Sequence, residues 1–233
     1  CRALRCQRTG ASLLDSFGDH GAACTRTGEL KRRGSAVERA WRPLWEEAPV
    51  QASEHPLVHD LVPTVPAWDG RQADVFVRGM SIGNGRPVVG DMCMGSALHV
   101  NGTPYAHASA EDGKAIERLT RQKHNDYPEL VASDRIRYVV LACEEGGQWG
   151  PDVFEVVSDL VRLKVAPLHP MLRRSAALAY TRKWWAILAT GAQSAAIDCI
   201  LGQDPQVWVP HGAPPLAVDL AWADVAPEPS RLG

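Results

Sequence analysis

The sequence lacks a long apolar run, a large net charge and a regular cysteine framework. Its most apolar stretch, residues 184–197, is too short to cross a bilayer and has charged residues on both sides, and no signal peptide is visible. The formal net charge of −2 excludes a uniformly basic protein that coats nucleic acid. Three of the six cysteines lie in the first 24 residues and the others are scattered, which disfavours a secreted disulfide scaffold and favours a reducing, intracellular location.

The chain has enough apolar residues for one sizeable core, since 45% of its 233 residues are hydrophobic. We expect three parts. Residues 1–28 are rich in Cys, Gly and Arg, residues 29–201 carry helix-like and strand-like patterns, and residues 202–233 are rich in proline and expected to be poorly ordered. The chain begins with Cys rather than Met, which suggests a fragment of a longer protein.

The pattern of apolar residues predicts an α/β fold after residue 28. Helices are predicted over 29–47, 111–127, 152–165 and 172–201, and strands over 57–62, 73–78, 87–94 and 136–143. The turn Gly83-Asn84-Gly85 predicts that the second and third strands form a hairpin. The expected architecture is a mixed central sheet of about four strands flanked by helices.

Four residues near the N-terminus have the chemistry of zinc ligands: Cys1, Cys6, His20 and Cys24. They form two close pairs joined by a longer segment, as tetrahedral zinc sites often do. Residues 1–28 contain almost no apolar core, so a metal would help them fold. The spacing matches no tight consensus, and the alternative is a set of unrelated polar and buried side chains.

Residues 1–42 contain nine basic and four acidic residues. This local excess of positive charge is typical of a surface that faces phosphates, and Lys31, Arg32 and Arg33 are its densest part. A solvated helix face is the alternative.

Asp74 and Asp91 lie on the two strands of the predicted hairpin. Side chains alternate along a strand, so Asp91 shares a face with Val89 and Cys93, where a charged carboxylate is costly unless it finds a cation or donors. Two carboxylates on neighbouring strands can share a Mg²⁺ ion, which activates water in phosphodiester cleavage. The alternative is that both are strand-end or turn residues.

Lys123 falls on the apolar stripe of the helix predicted over 111–127, four residues after Leu119. A lysine there either snorkels to solvent or meets a carboxylate such as Asp91, where it would position water or stabilise the transition state. Glu38 lies beside Val37 on the first helix, from which it can reach the same site or remain solvated.

Several blocks of the chain together resemble the C-terminal region of reverse-transcriptase polyproteins from non-LTR retrotransposons, particularly the copies in dinoflagellate genomes. The similarity extends over residues 1–201, and the blocks that carry it are GASLLDSFGDHGAACTRTGELKRRGSAVERAW, ADVFV, VVGDMCM, RQKHNDYPELV and VVLACEEGGQWGPDVFEVVSDLVR. In that family a CCHC zinc element precedes a restriction-endonuclease-like domain of the PD-(D/E)XK type. The resemblance therefore implies that fold here.

The resemblance also implies site residues. It places the two acids at Asp74 and Asp91, a lysine–tyrosine pair at Lys123 and Tyr127, and zinc ligands at Cys1, Cys6, His20 and Cys24. The chain departs from the family pattern in its Cys1–Cys6 interval, which is longer than the compact form, and at three other points. Ala73 stands where the family has proline, Cys93 where the ordinary pattern has lysine, and Arg33-Gly34-Ser35 where the family has Arg-His-Asn.

The function implied by the resemblance is a metal-dependent endonuclease that nicks target DNA for retrotransposition. Its expected cofactors are Mg²⁺ or Mn²⁺ at the catalytic site and structural Zn²⁺. Its expected partners are the upstream reverse-transcriptase domain and DNA, with RNA as an alternative. We expect no membrane association and a nuclear location. The alternatives are a catalytically decayed nucleic-acid-binding module and a structural domain without a ligand.

Overall fold

A computed structural model describes residues 29–99, 103–108 and 110–201, with the backbone path alone for 29–33 and 198–201. The predicted zinc element at 1–28 and the proline-rich tail at 202–233 lie outside these residues. No helix in the described ranges is long and apolar enough to span a membrane.

A mixed four-stranded sheet forms the centre of the domain, in the order β1-β2-β3-β4. The strands are β1 (Gln51–Glu54), β2 (Val75–Arg78), β3 (Val88–Gly95) and β4 (Arg137–Glu144). β1, β2 and β3 pair antiparallel in sequence, whereas β3 and β4 are parallel. The predicted hairpin is thus confirmed. In its turn Asn84 and Gly85 have φ of 51° and 85°, a left-handed conformation that these two residues tolerate well.

Helices cover both faces of the sheet. They are α1 (Glu29–Glu47), α2 (Val58–Leu61), α3 (Lys114–Asp126), α4 (Pro128–Val131), α5 (Pro151–Val165) and α6 (Pro170–Leu201). One face of the sheet packs against α1, α5 and α6 through the main core, which contains Trp41, Leu141 and Trp184. The other face packs against α2, α3 and α4 through two smaller clusters. The predicted α/β class and the four long helices are confirmed.

The strand predicted over 57–62 is wrong. That segment contains the short helix α2, whose Val58 is fully buried beside Val62 and Leu130. The edge strand lies just before it, at Gln51–Glu54, and all four of its residues are exposed. The backbone hydrogen bonds to β2 hold this edge strand in place, so it does not need apolar side chains on alternate positions. Its sequence therefore shows no apolar alternation that would predict a strand. Pro56 and Pro63 also confine the apolar run between them.

Gly95, at the end of β3, lets α3 approach the sheet closely. A Cβ atom at this position would lie 2.6 Å from Leu119 Cδ1. The contact sets α3 directly over β3, with Lys123 one turn beyond Leu119.

Candidate metal centre

Asp74 and Asp91 face each other across the β2–β3 pair. Val75 is the partner of Gly90 in the antiparallel register, so the next pair along the ladder is Asp74 and Asp91. The Asp74 N–H donates to the Gly90 carbonyl over 3.2 Å, and each carboxyl group influences the pKa of the other. Asp74 Oδ2 also accepts a hydrogen bond from the Met92 N–H. The hairpin therefore fixes the two acids side by side.

Lys123 reaches this pair from α3. Its ammonium nitrogen lies 2.9 Å from Asp91 Oδ1, and the Tyr138 hydroxyl donates to Asp91 Oδ2 over 3.2 Å. The Asp91 side chain is only 3% exposed. Both oxygens of Asp91 thus accept a hydrogen bond. Cys93 occupies the strand position where the ordinary pattern has lysine, and the ammonium group comes from α3 instead.

The site is electrostatically strained by its own negative charge. Burial raises the pKa of Asp91 to about 7, with Asp74 adding to the rise and Lys123 opposing it. Burial also raises the pKa of Asp74, and the nearby charge of Glu38 adds to that effect. Burial alone would lower the pKa of Lys123, but attraction to the Asp91 carboxylate outweighs it and raises that pKa. One lysine does not balance three carboxylates, so a bound cation would relieve the strain.

Glu38 and His55 complete the site on its open side. Glu38 projects from α1, and His55 follows β1, where its N–H donates to the Asp74 carbonyl over 3.0 Å. One donor atom from each of Glu38, His55 and Asp74 lies within 4.8 Å of the others. Glu38 was among the residues expected from the sequence, whereas His55 was not. Only the β1–β2 register brings His55 opposite Asp74, and β1 has no sequence signal.

The Tyr127 ring lies beside Lys123, and its hydroxyl does not hydrogen-bond to Asp74 or Asp91. That hydroxyl donates to the Gln72 carbonyl over 2.9 Å. The Lys123 nitrogen lies 5.9 Å from the centre of the Tyr127 ring, and the Arg71 guanidinium carbon lies 5.7 Å from it. Tyr127 therefore packs beside the ammonium group. The tyrosine that donates to Asp91 is Tyr138, which was not predicted from the sequence.

An open cleft of about 740 Å³ gives access to the site, with Glu38, His55 and Lys123 among its lining residues. Arg118 also lines it, one turn before Gln122, and its guanidinium carbon lies 4.0 Å from the centre of the Tyr105 ring. Within the described ranges Arg118 has no carboxylate partner, and its Nε is buried without a hydrogen bond. The cleft therefore has Glu38, Lys123 and an arginine without a described carboxylate partner in its lining.

Two groups of predicted site residues cannot be placed. Cys1, Cys6, His20 and Cys24 lie outside the described residues, so the zinc site stays a prediction. Lys31, Arg32 and Arg33 lie on the first turns of α1, where the description covers the backbone alone.

No protein-family model matches the chain, and no curated protein matches it.

Proposed function

We propose that the chain is the restriction-endonuclease-like domain of a retrotransposon polyprotein and hydrolyses phosphodiester bonds in DNA with the help of a divalent metal ion. The observation that carries this proposal is the convergence of Lys123, Asp91 and Asp74. An ammonium group 2.9 Å from one of two adjoining buried carboxylates is an arrangement that structural stability alone does not require, because each buried charge is costly.

Each residue has a distinct role in this proposal. Asp74 and Asp91 would hold Mg²⁺ or Mn²⁺, which supplies an acidified water and neutralises charge on the leaving oxygen. Lys123 orients that water or faces the charge that develops on the phosphate. Glu38 adds a carboxylate on the cleft side, and Tyr127 keeps the Lys123 side chain directed at Asp91.

The open cleft supports a polymeric substrate. Arg118 lines it and has no acidic partner in the described part of the chain. An arginine held on an aromatic ring can donate to a phosphate without losing an existing ion pair. Further phosphate contacts are proposed at Lys31, Arg32 and Arg33, and structural Zn²⁺ is proposed at the N-terminal Cys/His residues.

Lys123 gives a direct test of the catalytic proposal. The variant Lys123→Ala should lower the rate of Mg²⁺-dependent nicking of supercoiled plasmid by about 100-fold, since a positioned proton-transfer or charge-stabilising group contributes at least that factor. Mg²⁺ affinity, measured by calorimetry, should change little because both carboxylates remain. Lys114→Ala is the matched control, since Lys114 lies on the same helix and pairs with Glu111 and Glu117.

A result in which both lysine variants nick DNA at the wild-type rate would contradict the role of Lys123. If the wild type binds DNA but nicks none at any metal concentration, the non-catalytic nucleic-acid-binding module becomes the better account.

DNA binding should depend on the basic residues at the start of α1. Replacing Lys31, Arg32 and Arg33 together with alanine should weaken binding about equally for all DNA sequences. It should also reduce the slope of log affinity against log salt by up to about three units, roughly one for each lost phosphate contact. The double variant of Arg173 and Arg174 to alanine, on the exposed start of α6, is the control and should keep the slope. An unchanged slope in the triple variant would move the phosphate contacts elsewhere.

A further inference from the structure

The cluster of Glu38, His55 and Asp74 differs chemically from the Asp74–Asp91 pair, because it contains a nitrogen donor. The three donor atoms lie within 4.8 Å of one another. Glu38 and His55 line the cleft, and all three residues line a smaller pocket beside it. Donors around one metal ion at about 2.1 Å lie at most about 4.2 Å apart. His55 is exposed, so its side chain can rotate to bring the three donors to that spacing.

The partners of these side chains support a cation at this place. Glu38 has no hydrogen bond or ion pair with any described residue, although its charge acts on Asp74. The Lys123 ammonium group is hydrogen-bonded to Asp91. The imidazole of His55 likewise makes no hydrogen bond within the described ranges, while its backbone N–H is tied to Asp74. Arg39 and Arg42 line the same small pocket, but Arg42 pairs with Glu54 and neither arginine forms an ion pair with a cluster residue in the described ranges. The cluster therefore offers two carboxylates and an imidazole that no described cation pairs with.

The backbone of His55 gives further reason to treat its position as specific. Its φ of 52° is in the left-handed region, which only a small share of non-glycine residues adopt. The hydrogen bond from its N–H to Asp74, just after β1 ends, holds this conformation next to the acid. The imidazole is thus kept beside Asp74 at a conformational cost.

We propose that Glu38, His55 and Asp74 form a mixed nitrogen–oxygen site for a divalent transition-metal ion, with Asp74 shared with the Asp74–Asp91 pair. Mg²⁺ prefers oxygen ligands and keeps its waters, whereas an imidazole ligand favours first-row transition metals. The site therefore binds Mn²⁺ in preference to Mg²⁺, and His55 is the source of that preference. This inference goes beyond the proposed nuclease, because it concerns metal selectivity in the absence of DNA.

The test measures Mn²⁺ binding to the full chain in the absence of DNA. Calorimetry gives the affinity, and electron spin-echo spectroscopy detects a ¹⁴N nucleus coordinated to Mn²⁺. Mn²⁺ is the probe because the thiolates of the N-terminal cysteines favour softer ions. The wild type should show imidazole ¹⁴N coupling. His55→Asn should remove that coupling and weaken Mn²⁺ binding at least about tenfold, with a much smaller change for Mg²⁺.

His107→Asn is the matched control. His107 is exposed, also has a positive φ (65°) and is absent from the residues that line the cleft, so the same substitution there should leave Mn²⁺ affinity and ¹⁴N coupling unchanged. Glu38→Gln provides a second variant, and it should weaken Mn²⁺ binding while His55 and its ¹⁴N coupling remain.

Absence of ¹⁴N coupling in the wild type, or equal Mn²⁺ affinity in His55→Asn and the wild type, would overturn the proposal. Neither result would affect the nuclease proposal, which depends on Asp91 and Lys123. Conversely, ¹⁴N coupling in a chain that never nicks DNA would support this metal site and count against the nuclease.

Discussion

Replacing Asp91 with asparagine is expected to lower Mg²⁺-dependent nicking by about three orders of magnitude. A catalytic metal ion contributes several kcal/mol of transition-state stabilisation, and each 1.4 kcal/mol corresponds to about tenfold in rate. Asp91→Asn keeps the shape of the side chain and an acceptor for Lys123, so the fold should remain intact. Asp74→Asn should have an effect of similar size, because the two acids adjoin each other across the hairpin.

Plasmid nicking rates at saturating Mg²⁺ measure this effect, with far-ultraviolet circular dichroism to verify folding. Asp134→Asn is the control, since Asp134 is exposed and remote from the lining of the cleft. Nicking by Asp91→Asn at the wild-type rate would show that the pair is not the catalytic centre.

The metal-free protein is expected to lose stability as the pH rises from about 4 to about 7. Asp91 has a pKa of about 7 in the fold against 3.8 as its ordinary value, mainly because of burial. Between these two pH values the native state holds a proton that the unfolded chain has released. The unfolding free energy therefore falls as the pH rises, and the loss is complete above the folded pKa.

Thermal unfolding across this pH range measures the effect in the presence of a chelator. The wild type should show a fall of about 5 °C or more that the control Asp134→Asn shares, whereas Asp91→Asn should show a much smaller one. Saturating Mg²⁺ should remove most of the fall in the wild type, because a bound cation stabilises the charged pair. The same pH dependence in Asp91→Asn and the wild type would mean that Asp91 is ionised in the fold at low pH.

The sequence was sufficient to predict the centre of the sheet. β3 and β4 are nearly continuous apolar runs, as expected for strands covered on both faces, and the Asn84-Gly85 turn marks the hairpin. Face alternation along β3 and the helical stripe that contains Lys123 left two alternatives for this lysine, solvent or a carboxylate such as Asp91. The structure shows the contact with Asp91.

The rim of the site could not be predicted in this way. His55 lies opposite Asp74 only through the pairing of β1 with β2, and β1 is an exposed strand without apolar alternation. In the sequence, Tyr138 looks like an ordinary β-strand residue. The parallel register of β3 and β4 brings it close to Asp91. These contacts depend on the register between strands, which the pattern of a single strand does not determine.

The most direct test of the central claim is Mg²⁺ binding to the metal-free chain in the absence of DNA. Calorimetry on the wild type and on the double variant Asp74→Asn, Asp91→Asn does not require that the chain have nuclease activity. The account predicts saturable Mg²⁺ binding to the wild type and none to the double variant, with both proteins folded. Equal Mg²⁺ affinity in the two proteins would contradict it.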